Sequence, residues 1–254
     1  MDTSANVLPN RDWNKQIARE WTYRDKHVKI FTVDPQAHVI GVTQPVGLLD
    51  GFSADAILMK AFQKNYHTEA SKPATVIGYG FEKQHAEPIE FIDVVYECIF
   101  DRACEAEMNR YRHNSKNYES GRFVDYTKTG FTIVLPEDVK HLESSDGRLL
   151  SFFQHVQADV ESYIDALLDS DSSPRHARQQ ARRRLGFYIA VESVYKVNIR
   201  SLWHMAQQRS HELSPSGLAA EPQISDVVTQ MVKGALPYLP IFADALLTQI
   251  KKGC

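Results

Sequence analysis

Between Arg110 and Arg122 the chain reads RYRHNSKNYESGR: three arginines, two serines, two asparagines and a glycine in thirteen residues. A loop that cradles a phosphorylated ligand needs these types. Guanidinium forks grip oxygens, hydroxyls donate, and a glycine lets backbone N–H groups come close. The same composition also suits a charged surface loop. A second cluster, PRHARQQARRR over residues 174–184, places Arg175, Arg178 and Arg182 on one face of a helix. The plain reading is a solvated cationic face; the functional reading is that one or two of these arginines point into a phosphate site.

Other chemistries are poorly supplied. Gly78-Tyr-Gly80 lacks the third glycine and the helix start of a dinucleotide fingerprint, and reads as a loop. His204 and His211 stand seven apart with no third ligand nearby, so no metal site is expected. A Gly-x-Ser-x-Gly elbow does not occur. Cys98 falls in a β-rich run, where a buried thiol is expected rather than a nucleophile. Three cysteines without paired spacing form no disulfide framework, which points to a reducing, cytoplasmic compartment.

The scaffold around these residues is ordinary globular material. Of 254 residues 43% are hydrophobic and 24% charged, so the chain is not of the disordered class. A net charge of -3 argues against a dedicated nucleic-acid binder. The first residues have neither the basic nor the apolar region of a signal peptide, and no apolar run reaches the ~18 residues of a membrane span. One domain over 1–254 is expected, with 1–12 a polar arm. Residues 68–88, 169–174 and 210–223 read as loops. Val28–Val33 and Ala37–Val42 read as strands of a hairpin about Asp34-Pro35. Ser53–Asn65 reads as a helix, Ile89–Phe100 as a β-rich run, Asp101–Asn109 as helical and Phe123–Leu135 as a strand. Apolar residues from Leu149 to Leu168 recur at three and four steps, one helix face. The spacing predicts further helices over Pro174–Tyr195, Ile199–Arg209 and Ile224–Lys251, the last split by Pro237 and Pro240. Strands first and helices second suggest an α+β domain.

Residues 110–122 resemble the signature R-H-R-x-x-S-x-N-x-x-S-x-R of flavin-dependent thymidylate synthases, with Arg110, Arg112, Ser115, Asn117, Ser120, Gly121 and Arg122 in register. His85-Ala-Glu-Pro-Ile-Glu90 is similar to the family's H-x-x-P-F-E-H, 25 residues before Arg110. Asn198-Ile-Arg-Ser-Leu-Trp-His204, followed by Arg209, resembles N-x-R-S-L-x-H-F-x-x-x-R. Arg182, 16 residues before Asn198, matches another family arginine. Ala220-Glu-Pro-Gln-Ile224 resembles A-Q-x-E-I with acid and amide exchanged. The resemblance spans about residues 25–245.

It implies an α/β (α+β) fold, a twisted, largely antiparallel sheet packed with helices, in a homotetramer whose active sites form where subunits meet. It also implies one FAD per subunit, methylation at C5 of deoxyuridylate, methylenetetrahydrofolate as carbon donor, NADPH as reductant, and no cysteine nucleophile. His85, Glu90, Arg110, Arg112, His113, Asn198, Arg200 and His204 would line the FAD. Glu107, Arg110, Ser120, Gly121, Arg122, Arg182 and Arg209 would hold the nucleotide. Arg209 is the implied catalytic residue, stabilising negative charge in the pyrimidine ring without itself titrating.

The sequence departs from the family pattern at four places, the last three of which bear on the substrate. Tyr111 replaces a histidine, Glu107 a glutamine facing the nucleotide, Tyr118 a glutamate and Phe123 a tyrosine. A relative in peptidyl-nucleoside antibiotic biosynthesis methylates uridine monophosphate itself, and the sequence resembles such a UMP/dUMP variant. The alternatives are a housekeeping dUMP-specific enzyme and a non-catalytic flavin- or nucleotide-binding relative.

Overall fold

The computed structural model describes residues 11–66, 78, 85 and 87–252. The expected arm (1–10) and most of the 68–88 loop, with Tyr79 and Gly80, lie outside the described residues. The first half carries β1 (Gln16–Tyr23), β2 (Lys26–Thr32), β3 (Gln36–Val42), helix α1 (Asp55–Tyr66), β4 (Asp93–Asp101) and α2 (Arg102–Met108). Then come β5 (Asn114–Tyr118), the single-turn α3 (Tyr126–Thr129) and β6 (Phe131–Ile133). The second half holds α4 (Gly147–Leu168), α5 (Pro174–Ala181), β7 (Ala190–Asn198), α6 (Ile199–Arg209), α7 (Pro222–Ala235) and α8 (Ala243–Lys252).

The strands form two sheets, ordered β1-β2-β6 and β3-β4-β7-β5. Every pairing is antiparallel except the short β2–β6 contact. The hairpin expected between residues 28 and 42 does not form, because β2 and β3 belong to different sheets. Asp34-Pro35 is where the chain crosses between them. The hairpin instead joins β1 to β2 through Arg24 and Asp25, both at positive φ (46° and 61°) as a tight two-residue turn demands. Neither residue is the glycine that normally marks such a turn. Arg24 is held by Asp165 and Asp169 of the α4 end at 3.0 and 2.8 Å.

The 149–168 periodicity emerges as α4. Its face of Phe153, Val156, Val160, Tyr163 and Ile164 packs on Val28, Ile30, Phe131 and Ile133 of the first sheet. Two other expectations fail. Residues 123–135 are not one strand: Asp125 caps a helical turn by accepting from Thr127 N, and only Phe131–Ile133 pairs. The helix expected over 174–195 stops at Ala181, and Ala190–Asn198 becomes a central strand. Val191, Ser193, Tyr195 and Val197 are buried in alternation there, the period of a strand. The last helical stretch divides at Pro237 and Pro240, as expected.

On the second sheet Val94, Tyr96, Cys98, Tyr195 and Val197 are buried with Val228 and Met231 of α7 and Leu202 and Met205 of α6. The other face partly exposes Ile40 and Val194. Among the described residues no helix is long and apolar enough to cross a membrane.

Candidate functional site

The register of β7 decides which motifs meet. Asp93 pairs with Asn198, so the Glu87–Phe91 turn preceding β4 lies beside the start of α6. Asn114 pairs with Val197, so Arg110–His113 lie there too. Asn198 ends β7 and caps α6, its side-chain oxygen accepting from Ser201 N at 2.8 Å. Three motifs distant in sequence thus converge on a cleft of ≈ 680 Å³, within the usual size of ligand sites. Glu90, Arg110, Arg112, His113, Asn198, Arg200 and His204 line it, joined by Tyr111, Ser201, Trp203 and Gln207. Arg200 pairs with Glu90 across the cleft. His85 is exposed and is not among the lining residues.

Three arginines and two histidines in one cleft offer donors for a diphosphate, and Trp203 and Tyr111 offer aromatic faces. The chemistry of this donor set fits FAD, an elongated ligand with an anionic centre and flat rings at its ends.

Beside the cleft, Glu107 at the end of α2 holds two arginines. Arg110 Nη1 stands 2.7 Å from its Oε1, and Arg209 Nη2 stands 2.9 Å from its Oε2. The second contact is an ion pair off the N–H axis, so Oε2 takes no aligned hydrogen bond. Arg209 also donates from Nε to the Tyr111 hydroxyl at 3.1 Å, and that hydroxyl donates to Gln208 at 3.3 Å. Tyr111, where the signature has histidine, is therefore a brace for Arg209. A carboxylate beside an anionic ligand is repulsive unless arginine intervenes. Here two arginines do.

At the other end of β5 a second site forms. Tyr118 pairs with Ser193, so residues 119–122 leave the strand toward the Ala190 end of β7. A cavity of ≈ 290 Å³ there is lined by Gly121, Tyr126, Phe187, Arg182 and Arg183 of the 174–184 cluster, and one arginine that the sequence did not single out, Arg102. Arg102 is paired with Glu105 at 2.7 Å, whereas Arg182 and Arg183 have no carboxylate partner among the described residues. Phe123 N donates to Ser120 O at 2.8 Å, folding 120–123 into a turn, and Arg122 Nε reaches Ser120 Oγ at 3.5 Å.

The turn is braced from behind. Glu119 Oε1 accepts from the Tyr126 hydroxyl at 2.9 Å, and that ring packs against Gly121, Phe131 and Tyr163. Burial raises the Glu119 carboxyl above the ordinary range, opposed by the Tyr126 hydrogen bond. The single sequence signal for this brace was an acid next to Ser120. Tyr118 points elsewhere: its ring meets Phe100 edge-on and its hydroxyl reaches Asn109 Oδ1 at 3.4 Å.

The implied FAD residues and implied nucleotide residues therefore do not form one continuous site in the chain. Arg110, Glu107 and Arg209 sit with the large cleft; Ser120, Gly121, Arg122 and Arg182 sit at the far end of β5. The thiols are at neither place. Cys98 is buried in β4, where desolvation pushes its thiol up to about 12, and burial raises Cys104 as well. Cys254 lies outside the described residues.

The family model described as "Thymidylate synthase complementing protein" matches residues 48–241. Among solved structures, a UMP/dUMP methylase PolB from Streptomyces cacaoi bound with 5-Br UMP superposes with a TM-score of 0.68 at 18% identity, over 89% of this chain and 98% of the other. The same protein bound with 5-Br dUMP gives 0.67 at 20% identity, over 85% and 95%. Both are similar in fold. No curated protein sequence matches. With the family match covering both arginine clusters and the Asn198–Arg209 helix, the chain belongs to the thymidylate synthase complementing family, the flavin-dependent thymidylate synthases whose signature residues 110–122 resemble.

Proposed function

We propose that the protein is an FAD-dependent methylase acting at C5 of UMP and dUMP, with methylenetetrahydrofolate as carbon donor and NADPH as reductant. The observation that carries the reading is the pairing of an arginine-lined cleft of flavin size with a separate, carboxylate-free arginine cavity, in a chain of this family. The similarity in fold to a methylase bound with brominated UMP and dUMP supports the same substrate class.

Arg110, Arg112 and Arg200 would hold the FAD phosphates, with His113, Asn198 and His204 fixing the remainder of the cofactor, and His85 reaching it from outside the lining. Bound flavin would supply hydride and relay the one-carbon unit. The protein's own work is electrostatic. Uracil C5 is a weak nucleophile until negative charge enters the ring. Arg209, fixed by Glu107 and Tyr111, would hold that charge without giving up a proton. Ser120, Gly121, Arg122 and Arg182 would take the phosphate.

These two nucleotide-binding groups flank β5. At ~3.3 Å per residue the five residues of β5 separate them by ~16 Å. A pyrimidine monophosphate is shorter than that, so each site would draw on two copies of the chain. The partly exposed Ile40 and Val194 are suited to such contact, and the homotetramer that the family resemblance implies is the proposed assembly.

Purified protein should carry oxidised-flavin absorption or gain it on titration with FAD at micromolar concentration; absence of binding removes the assignment. The pairing of Arg209 with Glu107 favours one second reading, a non-catalytic flavin and nucleotide binder. Release of tritium from C5-labelled UMP or dUMP separates the two. The same assay checks the thiols. Replacing Cys98, Cys104 and Cys254 together by alanine should leave turnover within about tenfold, ~1.4 kcal/mol of barrier. Total loss in a folded, flavin-bound triple variant would mean a thiol nucleophile.

A further inference from the structure

Three arginines on one side of the α5 segment meet three successive residues of the 120–123 turn. Arg182 Cδ lies 3.6 Å from where a Cβ on Gly121 would stand. Arg178 Nε donates to the Arg122 carbonyl at 3.0 Å. Arg175 lies over the Phe123 ring at 5.1 Å, and Arg122 itself stacks on the same ring at 5.6 Å. None of these arginines has a carboxylate partner among the described residues. Their only acceptors here are a backbone carbonyl, a serine hydroxyl and a π-face.

Like charges gathered without counter-ions raise the free energy of the empty protein, and a bound dianion relieves it. Only Arg122 and Arg182 need touch that anion. Arg178 is spent on the backbone of the turn. Arg175 shares a ring with Arg122 and so limits where the Arg122 guanidinium can stand.

We propose that Arg178 and Arg175 are positioning residues for the nucleotide's phosphate: Arg178 fixes the backbone of the turn, and Arg175, through Phe123, fixes the Arg122 side chain. This rests on the reading of the turn as a phosphate site. It adds a dependence on two residues that need not touch the ligand. It also assigns Phe123 a role as the spacer between two guanidiniums.

The test compares UMP with uridine, which lacks the phosphate, on full-length FAD-loaded protein. Arg178→Met, which removes every donor, should weaken UMP binding by about tenfold or more, the scale of one charge-assisted hydrogen bond, while uridine binding, flavin spectrum and kcat at saturating UMP hold. Arg178→Gln loses the charge but keeps an amide N–H at the place of Nε, so it should bind UMP more tightly than Arg178→Met. Equal losses in Arg178→Met and Arg178→Gln would overturn the tether in favour of bulk charge. Unchanged UMP affinity in Arg178→Met, or equal loss of UMP and uridine, would overturn it as well.

Arg175→Gln, at an exposed site that leaves folding intact, provides the second arm. Its effect on UMP affinity should vanish in a Phe123→Leu background, because the ring carries the coupling. Additive effects would overturn the Arg175 role. A wild-type protein that binds no UMP would instead overturn the proposed function itself.

Discussion

Arg209→Lys is expected to lower turnover by about 10²-fold or more, the scale of removing one preorganised electrostatic donor, while nucleotide binding survives. The guanidinium uses Nη2 on Glu107 and Nε on Tyr111, two contacts set by one rigid plane. That leaves its remaining N–H groups aimed in a fixed direction. A lysine ammonium is a single point on a flexible stem. It can satisfy Glu107 or approach the pyrimidine, and has no fork with which to do both. Because the charge persists, binding of an anionic nucleotide should change far less than kcat. Rapid-mixing turnover with a parallel calorimetric Kd makes the check. Near-wild-type turnover would remove Arg209 from the catalytic role, and equal losses in kcat and affinity would make it a binding residue only.

What could be read from sequence follows physical range. α4 was legible because a long amphipathic helix encodes its own face. α2 and α6 were legible because Asp101 and Asn198 cap them locally, accepting from Cys104 N and Ser201 N. β7 was misread although Val191, Ser193, Tyr195 and Val197 alternate. The arginine-rich helix before it extended the helical expectation past Gly186, and the partners that make it a strand lie a hundred residues away on β4. The β1–β2 turn was missed because Arg24 and Asp25 take positive φ where glycine or asparagine would mark a turn, and the Asp165 and Asp169 that hold Arg24 lie far along the chain.

The site shows the same division. Motif register named seven residues of the large cleft, since each motif is short and continuous. It did not show that β5 parts the signature, sending its two ends to different cavities. Nor did it show Tyr126 behind Glu119, or Arg102 beside Arg182. Those depend on strand register, which only long-range pairing sets.

Ribose tolerance is the second large effect expected: kcat/KM for UMP should fall within about 10⁴-fold of that for dUMP, short of the discrimination a site reaches by leaving polar groups unpaired. The structure narrows the cause. Glu107 holds Arg110 and Arg209 at the large cleft, at the other end of β5 from the 120–123 turn. Tyr118 packs on Phe100, so its replacement of glutamate removes a charge without opening the turn. Phe123 remains. It is 61% exposed on the turn, between Arg122 and Arg175, and carries no hydroxyl where tyrosine would place one. A 2′-hydroxyl must be paired or excluded, and a bare ring edge does not claim the space that a phenol would. Phe123→Tyr should therefore shift the ratio toward the deoxy nucleotide. The substitution lies on the surface and should change stability by no more than about 0.5 kcal/mol, so the shift would report on recognition rather than folding. Preference for dUMP beyond about 10⁴-fold in the parent would reject ribose tolerance. An unchanged ratio in Phe123→Tyr would move the control of ribose choice away from residue 123.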